Sequence, residues 1–195
     1  MNLATRDDLP GIILDRFSLV VVALLILVLS GCSSMAPPTT STASPSTPPG
    51  WRYPVPVGGV IQPPSGMSRD QAIAEITSRS VLLLGTPYRL GGSRPSEGLD
   101  CSGLIAHVVE EAFRLRFPRT TEEQALVGSP VSRRSLAPGD LVFFNTTGRP
   151  NSHVGVYLGE SRFVHAPTSR GVVRIESLEQ GYWSRRFDQA RRLIL

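Results

Sequence analysis

The sequence contains no lysine, so all 20 of its basic residues are arginines. They outnumber the 16 acidic residues and give a net charge of +4 at neutral pH. The arginines are scattered, and no basic stripe interleaved with aromatic residues accompanies them, which argues against a nucleic-acid partner. The modest positive charge favours instead an anionic neighbour, such as a phospholipid surface or an acidic wall polymer.

Cysteine and histidine are also scarce, with two and three residues respectively. No set of cysteines or carboxylates at metal-ligand spacing accompanies the histidines, so we expect neither a metal site nor a cofactor. In an exported chain, two cysteines first suggest a disulfide. Their contexts argue against such a pair, because Cys32 ends an export-type segment and Cys101 opens a predicted helix.

The apolar run near the start, Phe17–Leu29, is thirteen residues long. It is too short to cross a membrane, which takes about 20 residues, but it suits the core of a signal peptide. The next stretch, Leu-Ser-Gly-Cys ending at Cys32, resembles the lipobox of bacterial lipoproteins. This resemblance implies that residues 1–31 are a signal peptide and that Cys32 becomes a lipidated membrane anchor. Ser33, in place of aspartate, favours the outer membrane, facing the periplasm. A non-lipidated signal peptide or a plain anchor is the alternative.

Residues 32–66 are predicted to form a tether. Proline, serine and threonine dominate, and such a segment cannot bury enough apolar surface to offset the entropy of ordering it. Its prolines predict an extended, semi-stiff chain. The apolar residues between Trp51 and Val57 either form an arm on the domain or are ordinary linker residues.

Residues 67–195 are predicted to form one α+β domain. Ser68 starts a capping box, Cys101 starts an amphipathic helix that runs to about Leu115, and Thr120 starts a short third helix. The remainder is rich in short β segments separated by turn residues. These segments are 140–145, 153–158, 162–165, 172–176 and, as an edge strand, 188–195.

The stretch Asp100-Cys101-Ser102-Gly103 has the residues of a reactive thiol. A cysteine in the first helical turn lies in the field of unpaired backbone N–H groups, which lowers the thiol pKa. Asp100 suits the N-cap of that helix. A nearby imidazole would complete the activation, and His153 and His165 lie at the ends of predicted strands. The alternative from the residues alone is a buried structural cysteine with two structural histidines.

Five blocks of sequence, in one order, carry a family resemblance. They are GTPYRLGG (85–92), DCSGL (100–104), PGDLVFF (138–144), HVGVYL (153–158) and FVHA (163–166). Together they resemble the NlpC-type cell-wall cysteine peptidases over nearly all of residues 67–195, and Pro118–Thr121 and the closing pairs Tyr182-Trp183 and Arg191-Arg192 fit as well. The resemblance implies a pared-down papain-like fold, with N-terminal helices packed on a central antiparallel β-sheet. Leu90 departs from the family pattern, in which many relatives carry an aromatic residue, and this loosens any inference about pocket shape.

The resemblance also implies a catalytic set of three residues. Cys101 would be the nucleophile, His153 its general base and later acid, and His165 the residue that orients His153. Tyr88 would help to hold the substrate or the developing oxyanion. Asp100 and Ser102 would shape the nucleophile turn and the substrate cleft.

The predicted function is hydrolysis of peptidoglycan stem peptides or cross-links through an acyl-enzyme on Cys101. The bond is either D-Ala–meso-diaminopimelate or γ-D-Glu–diamino acid, and the sequence does not choose between them. Two alternatives are a catalytically silent lipoprotein that scaffolds wall enzymes, and a cysteine-dependent acyl or amide transferase. No motif involves the third histidine, His107, which is predicted to be an ordinary surface residue.

Overall fold

The structure, a computed structural model, describes residues 55–56, 58–168 and 171–194. Its helices are α1 (Arg69–Leu82), α2 (Cys101–Phe113), α3 (Thr121–Gln124) and α4 (Gly181–Ser184), with a 3₁₀ turn at Arg133–Ser135. Its strands are β1 (Ser93–Arg94), β2 (Gly98–Leu99), β3 (Ser129–Val131), β4 (Leu141–Phe144), β5 (His153–Gly159), β6 (Arg162–His165), β7 (Arg174–Ser177) and β8 (Phe187–Arg192). In the part of the chain that the structure describes, no helix is both long and apolar enough to cross a membrane.

The six longer strands, β3 to β8, form one antiparallel sheet in the order β3-β8-β4-β5-β6-β7. Strands β1 and β2 form a separate small hairpin ahead of α2. Apart from the one-turn α4, the α-helices precede the six-stranded antiparallel sheet along the chain, which confirms the predicted α+β fold.

Strand β4 shows that both faces of the sheet are covered. All four of its residues, Leu-Val-Phe-Phe, are buried. Because side chains alternate along a strand, Leu141 and Phe143 belong to the core that includes the helices. Val142 and Phe144 pack with Trp183 on the opposite face. This second cluster bears on the site, since Trp183 also contacts both strand-end histidines.

The helix starts follow the capping signals in the sequence. Ser68 accepts from the Gln71 N–H at 3.2 Å, and the Gln71 side chain accepts from the Ser68 N–H at 2.8 Å. Thr120 and Glu123 form the same reciprocal pair ahead of α3. Each pair satisfies two backbone donors that a helix start leaves without partners. Both predicted capping boxes are therefore confirmed.

Helix α2 is central and packs against α1 and β5. Its apolar stripe is buried, as the spacing predicts, with Leu104, Ile105, Val108 and Val109 all inside. The helix ends at Phe113, two residues before the predicted end. The reason is that Arg114 adopts a left-handed conformation, with φ of 52°, which stops a right-handed helix.

The chain just before α1 lies against the domain. The side chain of Ile61 is only 2% exposed, and its N–H donates to the carbonyl of Leu193 at 2.7 Å. Val55 also packs on this core. The structure thus differs from the expected boundary at residue 67, because residues 58–66 run along the domain and Ile61 fills part of its interior. The neighbouring Trp51, Tyr53 and Val57 lie outside the described residues.

Strand β8 was predicted as an edge strand, and this prediction is wrong. It lies between β3 and β4 and pairs with both. The edge strands of this sheet are β7 and β3, and β3 is a three-residue strand that was not predicted from the sequence. Its central residue is Pro130, which lacks an N–H and is tolerated only where one side of the strand has no ladder to complete.

Candidate active site

Cys101 and His153 line the same groove, which has a volume of about 600 Å³. Cys101 is the first residue of α2 and His153 is the first residue of β5, and these two elements pack on each other. Tyr88, Asp100 and Ser102 line the groove as well. Five of the six residues of the domain that the sequence singled out therefore line one groove, and the sixth, His165, contacts His153.

Asp100 holds the turn from Asp100 to Gly103 that presents Cys101 to the groove. Its Oδ1 accepts from the Gly103 N–H at 2.7 Å and from the Ser102 hydroxyl at 3.2 Å. Its Oδ2 accepts from the Gly91 N–H at 2.9 Å. The predicted N-cap is therefore confirmed. Gly103 is required here because a Cβ at that position would lie 2.0 Å from the carbonyl oxygen of Gly92.

Arg119, from the chain after α2, binds the side chains of this turn. Its guanidinium makes a two-pronged contact with the Asp100 carboxylate, each N···O distance being 2.9 Å. It also donates to the Ser102 hydroxyl at 2.8 Å and to the Gly92 carbonyl at 3.0 Å. A planar fork suits this set of oxygens better than a point charge would. The sequence placed Arg119 in a family-like block but gave it no role.

The Cys101 thiol is less acidic than its helix position predicts. Burial, followed by the charge of Asp100, raises the pKa of the thiol to about 11. The backbone N–H groups of Ser102 and Val154 act in the opposite direction but do not outweigh the burial. The predicted lowering of this pKa is therefore wrong. A thiol with this pKa is protonated at neutral pH, so it would need a base to take its proton before it could act as a nucleophile.

The two strand-end histidines form a buried, hydrogen-bonded pair. His153 Nε2 lies 2.8 Å from His165 Nδ1, and both side chains are buried. This bond uses the Nε2 of His153 and leaves its Nδ1 as the ring nitrogen available to the thiol. Burial lowers the pKa of His153 to about 4 and also lowers that of His165. Both rings are therefore neutral at neutral pH, the form in which an imidazole can accept a proton.

Trp183 fixes the orientation of both imidazoles. Its ring stacks on His153 with a centroid distance of 5.4 Å and an interplanar angle of 27°. It meets His165 edge-on at 4.9 Å. The indole N–H donates to the carboxylate of Glu176, whose Oε2 also lies 3.4 Å from His165 Nε2. A carboxylate thus stands behind the histidine pair, on the side away from Cys101.

Tyr88 and Leu90 form part of the groove wall near the thiol. Burial, then the charges of Cys101 and Asp100, raise the pKa of Tyr88, so its hydroxyl is a hydrogen-bond donor at neutral pH. The side chain of Leu90 is 83% exposed. The departure from the family pattern at this position therefore affects the rim of the groove and leaves the buried histidine pair untouched.

Two predicted positions lie apart from this site. His107 lines a separate pocket between α1 and α2, with Arg79 and Glu111. Cys32, the predicted lipidation site, lies outside the described residues. Among the residues that the structure describes, no group of three or more His, Cys, Asp or Glu side chains is arranged to hold a metal ion.

Arg119, Trp183 and Glu176 are parts of the site that were not predicted from the sequence. Arg119 and Trp183 both lie in stretches that resemble the family, which was a usable signal. Glu176 lies in a predicted strand and had no signal of its own, because only the pairing of β7 with β6 brings it near His165.

Comparison with known proteins identifies the family. The sequence profile of the NlpC/P60 family matches residues 85–192. The chain belongs to the NlpC/P60 family. The range that matches contains Tyr88, the turn from Asp100 to Gly103, both strand-end histidines and Glu176. The predicted family is therefore confirmed.

Relatives and a solved structure agree with this result. The probable endopeptidase NlpC of Escherichia coli K12 is 37% identical over 180 residues, which cover 91% of this chain and 99% of the relative. A murein DD-endopeptidase/LD-carboxypeptidase, MepS, of the same organism is 47% identical over 110 residues, which cover 56% of this chain and 57% of the relative. The crystal structure of the NlpC/p60 domain of the peptidoglycan hydrolase SagA matches with a TM-score of 0.55 and 30% identity. That match covers 62% of this chain and 97% of the SagA domain.

Proposed function

We propose that this protein is a peptidoglycan endopeptidase in which Cys101 forms the acyl-enzyme, His153 moves the proton and His165 orients His153. The observation that carries these roles is the 2.8 Å bond between His153 Nε2 and His165 Nδ1. It leaves the Nδ1 of a neutral imidazole for the thiol, in the groove that both residues line.

Membership of the NlpC/P60 family confirms the prediction of a cysteine peptidase that acts on peptidoglycan. Family membership does not identify which peptidoglycan bond is cut. The relative MepS is described as a murein DD-endopeptidase, which supports D-Ala–meso-diaminopimelate as the first bond to test. The bond between γ-D-Glu and the diamino acid is the alternative.

The proposed reaction uses the neutral resting state of the pair. The thiol proton passes to His153 Nδ1 as the sulfur attacks the amide carbon of the substrate. The resulting oxyanion is held by the Cys101 backbone N–H and the Tyr88 hydroxyl. The C–N bond breaks as His153 returns the proton to the leaving amine. A water then gives a proton to His153 and attacks the thioester, which releases the acid and restores the thiol.

The envelope location is part of the same proposal. Residues 1–31 serve as a signal peptide, Cys32 receives the lipid, and the following residues tether the domain to the outer membrane on the periplasmic side. Because Val55 and residues 58–66 lie on the domain, the tether ends by about residue 54. We expect Cys32→Ser to give an unacylated precursor by mass spectrometry; a lipid-modified mass in this variant would refute the anchor.

The test of the function is to incubate the purified full-length chain with muropeptides and to identify the products by mass spectrometry. We expect hydrolysis by the wild type and by His107→Ala, a matched histidine control outside the groove. Cys101→Ala and His153→Ala should be inactive. Intact muropeptides at high concentrations of wild-type enzyme would refute the hydrolase and favour the silent scaffold. Products joined to an added amine, without hydrolysis, would favour the transferase.

A further inference from the structure

His165 has one ring nitrogen that the pairing with His153 does not use. This atom, Nε2, is fully buried and makes no hydrogen bond with any residue that the structure describes. The carboxylate oxygen Oε2 of Glu176 lies 3.4 Å away. The contact is long for a hydrogen bond, but catalytic contacts in unliganded enzymes are often long and shorten when substrate binds.

Glu176 is held in place by two other donors. The Trp183 indole N–H donates to its Oε2, and the Arg174 guanidinium contacts its Oε1 at 2.6 Å. The Glu176 side chain is only 15% exposed, whereas that of Arg174 is 50% exposed. A carboxylate that is this well buried and also bonded retains a fixed position and a strong local field.

The placement of Glu176 follows from the sheet register. Strands β6 and β7 pair His165 with Arg174 and Phe163 with Glu176. Glu176 is therefore the diagonal neighbour of His165 on the same face of the sheet. The Trp183 ring closes this face over both histidines. The register of β6 and β7 thus places Glu176 beside His165, which in turn contacts His153.

Glu176, His165 and His153 admit two proton arrangements. In the first, the proton of His153 lies on Nε2 and is donated to His165 Nδ1. His165 then carries its own proton on Nε2, facing Glu176, and His153 Nδ1 is free to accept the thiol proton. In the second, His165 donates from Nδ1, its bare Nε2 faces the carboxylate, and His153 Nδ1 already carries a proton. In this second arrangement His165 Nε2 and the Glu176 carboxylate are both hydrogen-bond acceptors and face each other in a buried site. Neither atom then receives a hydrogen bond from the other, which raises the free energy of this arrangement.

We propose that Glu176 is a positioning residue that selects the first arrangement, so that His153 presents an unprotonated Nδ1 to Cys101. The inference rests on the proposed roles of Cys101 and His153 and adds a fourth member behind His165. When His153 accepts the thiol proton, the positive charge that forms lies within reach of the Glu176 carboxylate through His165. The charged or titratable groups around His165 are His153 on β5, Glu176 and Arg174 on β7 and, beyond His153, Cys101 on α2.

The direct test is the tautomer itself. In the full-length chain with ¹⁵N-labelled histidine, ring nitrogen shifts report which nitrogen of each imidazole carries the proton. We expect His153 to be protonated on Nε2 in the wild type, and the protonated Nδ1 form to become populated in Glu176→Gln. His107 should stay unchanged and serves as the internal reference. This readout needs no substrate, so it remains informative even if the proposed reaction is wrong.

The kinetic test uses three variants. We expect Glu176→Gln to lower kcat by about ten- to one-hundredfold with KM unchanged, the range of one hydrogen bond to a charged group. Glu176→Asp keeps the charge and should recover part of that loss. Glu179→Gln removes an exposed carboxylate from the segment after β7 and should match the wild type.

The pH profile separates positioning from simple structural damage. Removing the negative charge of Glu176 lowers the pKa of the imidazole pair, so the acid limb of kcat/KM moves to lower pH. Loosened packing would instead admit water, raise the pKa of the buried histidines towards the ordinary value and move the limb to higher pH. An unchanged tautomer and kcat in Glu176→Gln, or a limb that moves to higher pH, overturns the proposal. Failure of the wild type to cleave muropeptides counts against the proposed function alone.

Discussion

The variant Arg119→Met removes the guanidinium that joins the turn from Asp100 to Gly103 to the chain after α2, while it keeps much of the side-chain volume. The wild-type side chain donates four hydrogen bonds at 2.8–3.0 Å. Two of them go to the Asp100 carboxylate, whose side chain is 10% exposed. The substitution therefore leaves a mostly buried carboxylate without its cation, and we expect both the stability of the fold and the reactivity of Cys101 to fall.

The size of the stability loss follows from the exposure of the pair. Removing one partner of a fully buried ion pair costs about 3–5 kcal/mol. The Arg119 side chain is 39% exposed, and Asp100 keeps its bonds from the Gly91 and Gly103 N–H groups and from Ser102. Solvent screening and these remaining donors reduce the expected loss in the free energy of unfolding to about 2 kcal/mol. Arg119→Lys keeps the charge but loses the fork, so it should lose about half as much.

The second effect of Arg119→Met falls on Cys101, the proposed nucleophile. The charge of Asp100 already raises the pKa of the Cys101 thiol, and the guanidinium beside it offsets part of that charge. Without Arg119 the pKa of Cys101 should rise further. Alkylation of Cys101 by iodoacetamide at pH 8 should then slow, measured in a Cys32→Ser background so that only one cysteine reacts.

Urea denaturation measures the stability of the single variants Arg119→Met and Asp100→Asn and of the double variant. Because the two side chains interact directly, the losses should not add, and the double variant should lose less than the sum. Additive losses, or a loss below about 0.5 kcal/mol for Arg119→Met, the range of an ordinary surface substitution, would refute this account of the turn.

Two further predictions concern other features of the site. Gly103→Ala would place a Cβ 2.0 Å from the Gly92 carbonyl oxygen. We expect the free energy of unfolding to fall by at least about 3 kcal/mol, as for severe overpacking. Urea denaturation measures this loss, and His107→Ala on the same helix is the control. Burial lowers the pKa of His153 to about 4, so between pH 6.5 and 4 the unfolded chain binds a proton that the native chain does not. The free energy of unfolding should therefore be highest above pH 6.5 and should fall by about 3 kcal/mol on acidification to pH 4 through this residue. Urea denaturation measured at several pH values between 4 and 6.5 should show that the free energy of unfolding of His153→Gln depends less on pH than that of the wild type. An equal dependence on pH would contradict the lowered pKa of His153.

Features that depend on neighbours in the sequence were predictable. The capping boxes at Ser68 and Thr120 and the N-cap at Asp100 are formed by residues within three positions of each other. The buried stripe of α2 follows from helical spacing alone. The approach of Cys101 and His153 was expected from the family resemblance, and the geometry of the groove is consistent with it.

Features that depend on the order of strands were not predictable in this way. The edge assignment of β8 failed because β3 pairs with it from more than fifty residues away. Glu176 was overlooked because its partner His165 is reached across a strand register, for which local spacing carries no signal. Arg119 was recognised as part of a block but not as the partner of Asp100, nineteen residues earlier.

The sequence by itself determined the family, the helix starts, and the identity of the cysteine and histidines at the centre of the site. These are encoded in local patterns and in the order of the motifs. Only the tertiary structure decided the protonation state in which they meet, because the pKa of a group depends on everything packed around it. Burial raises the pKa of Cys101 and lowers that of His153, against the expectation from the helix start alone. The resting site is therefore a neutral thiol beside a neutral imidazole, with Glu176 behind them.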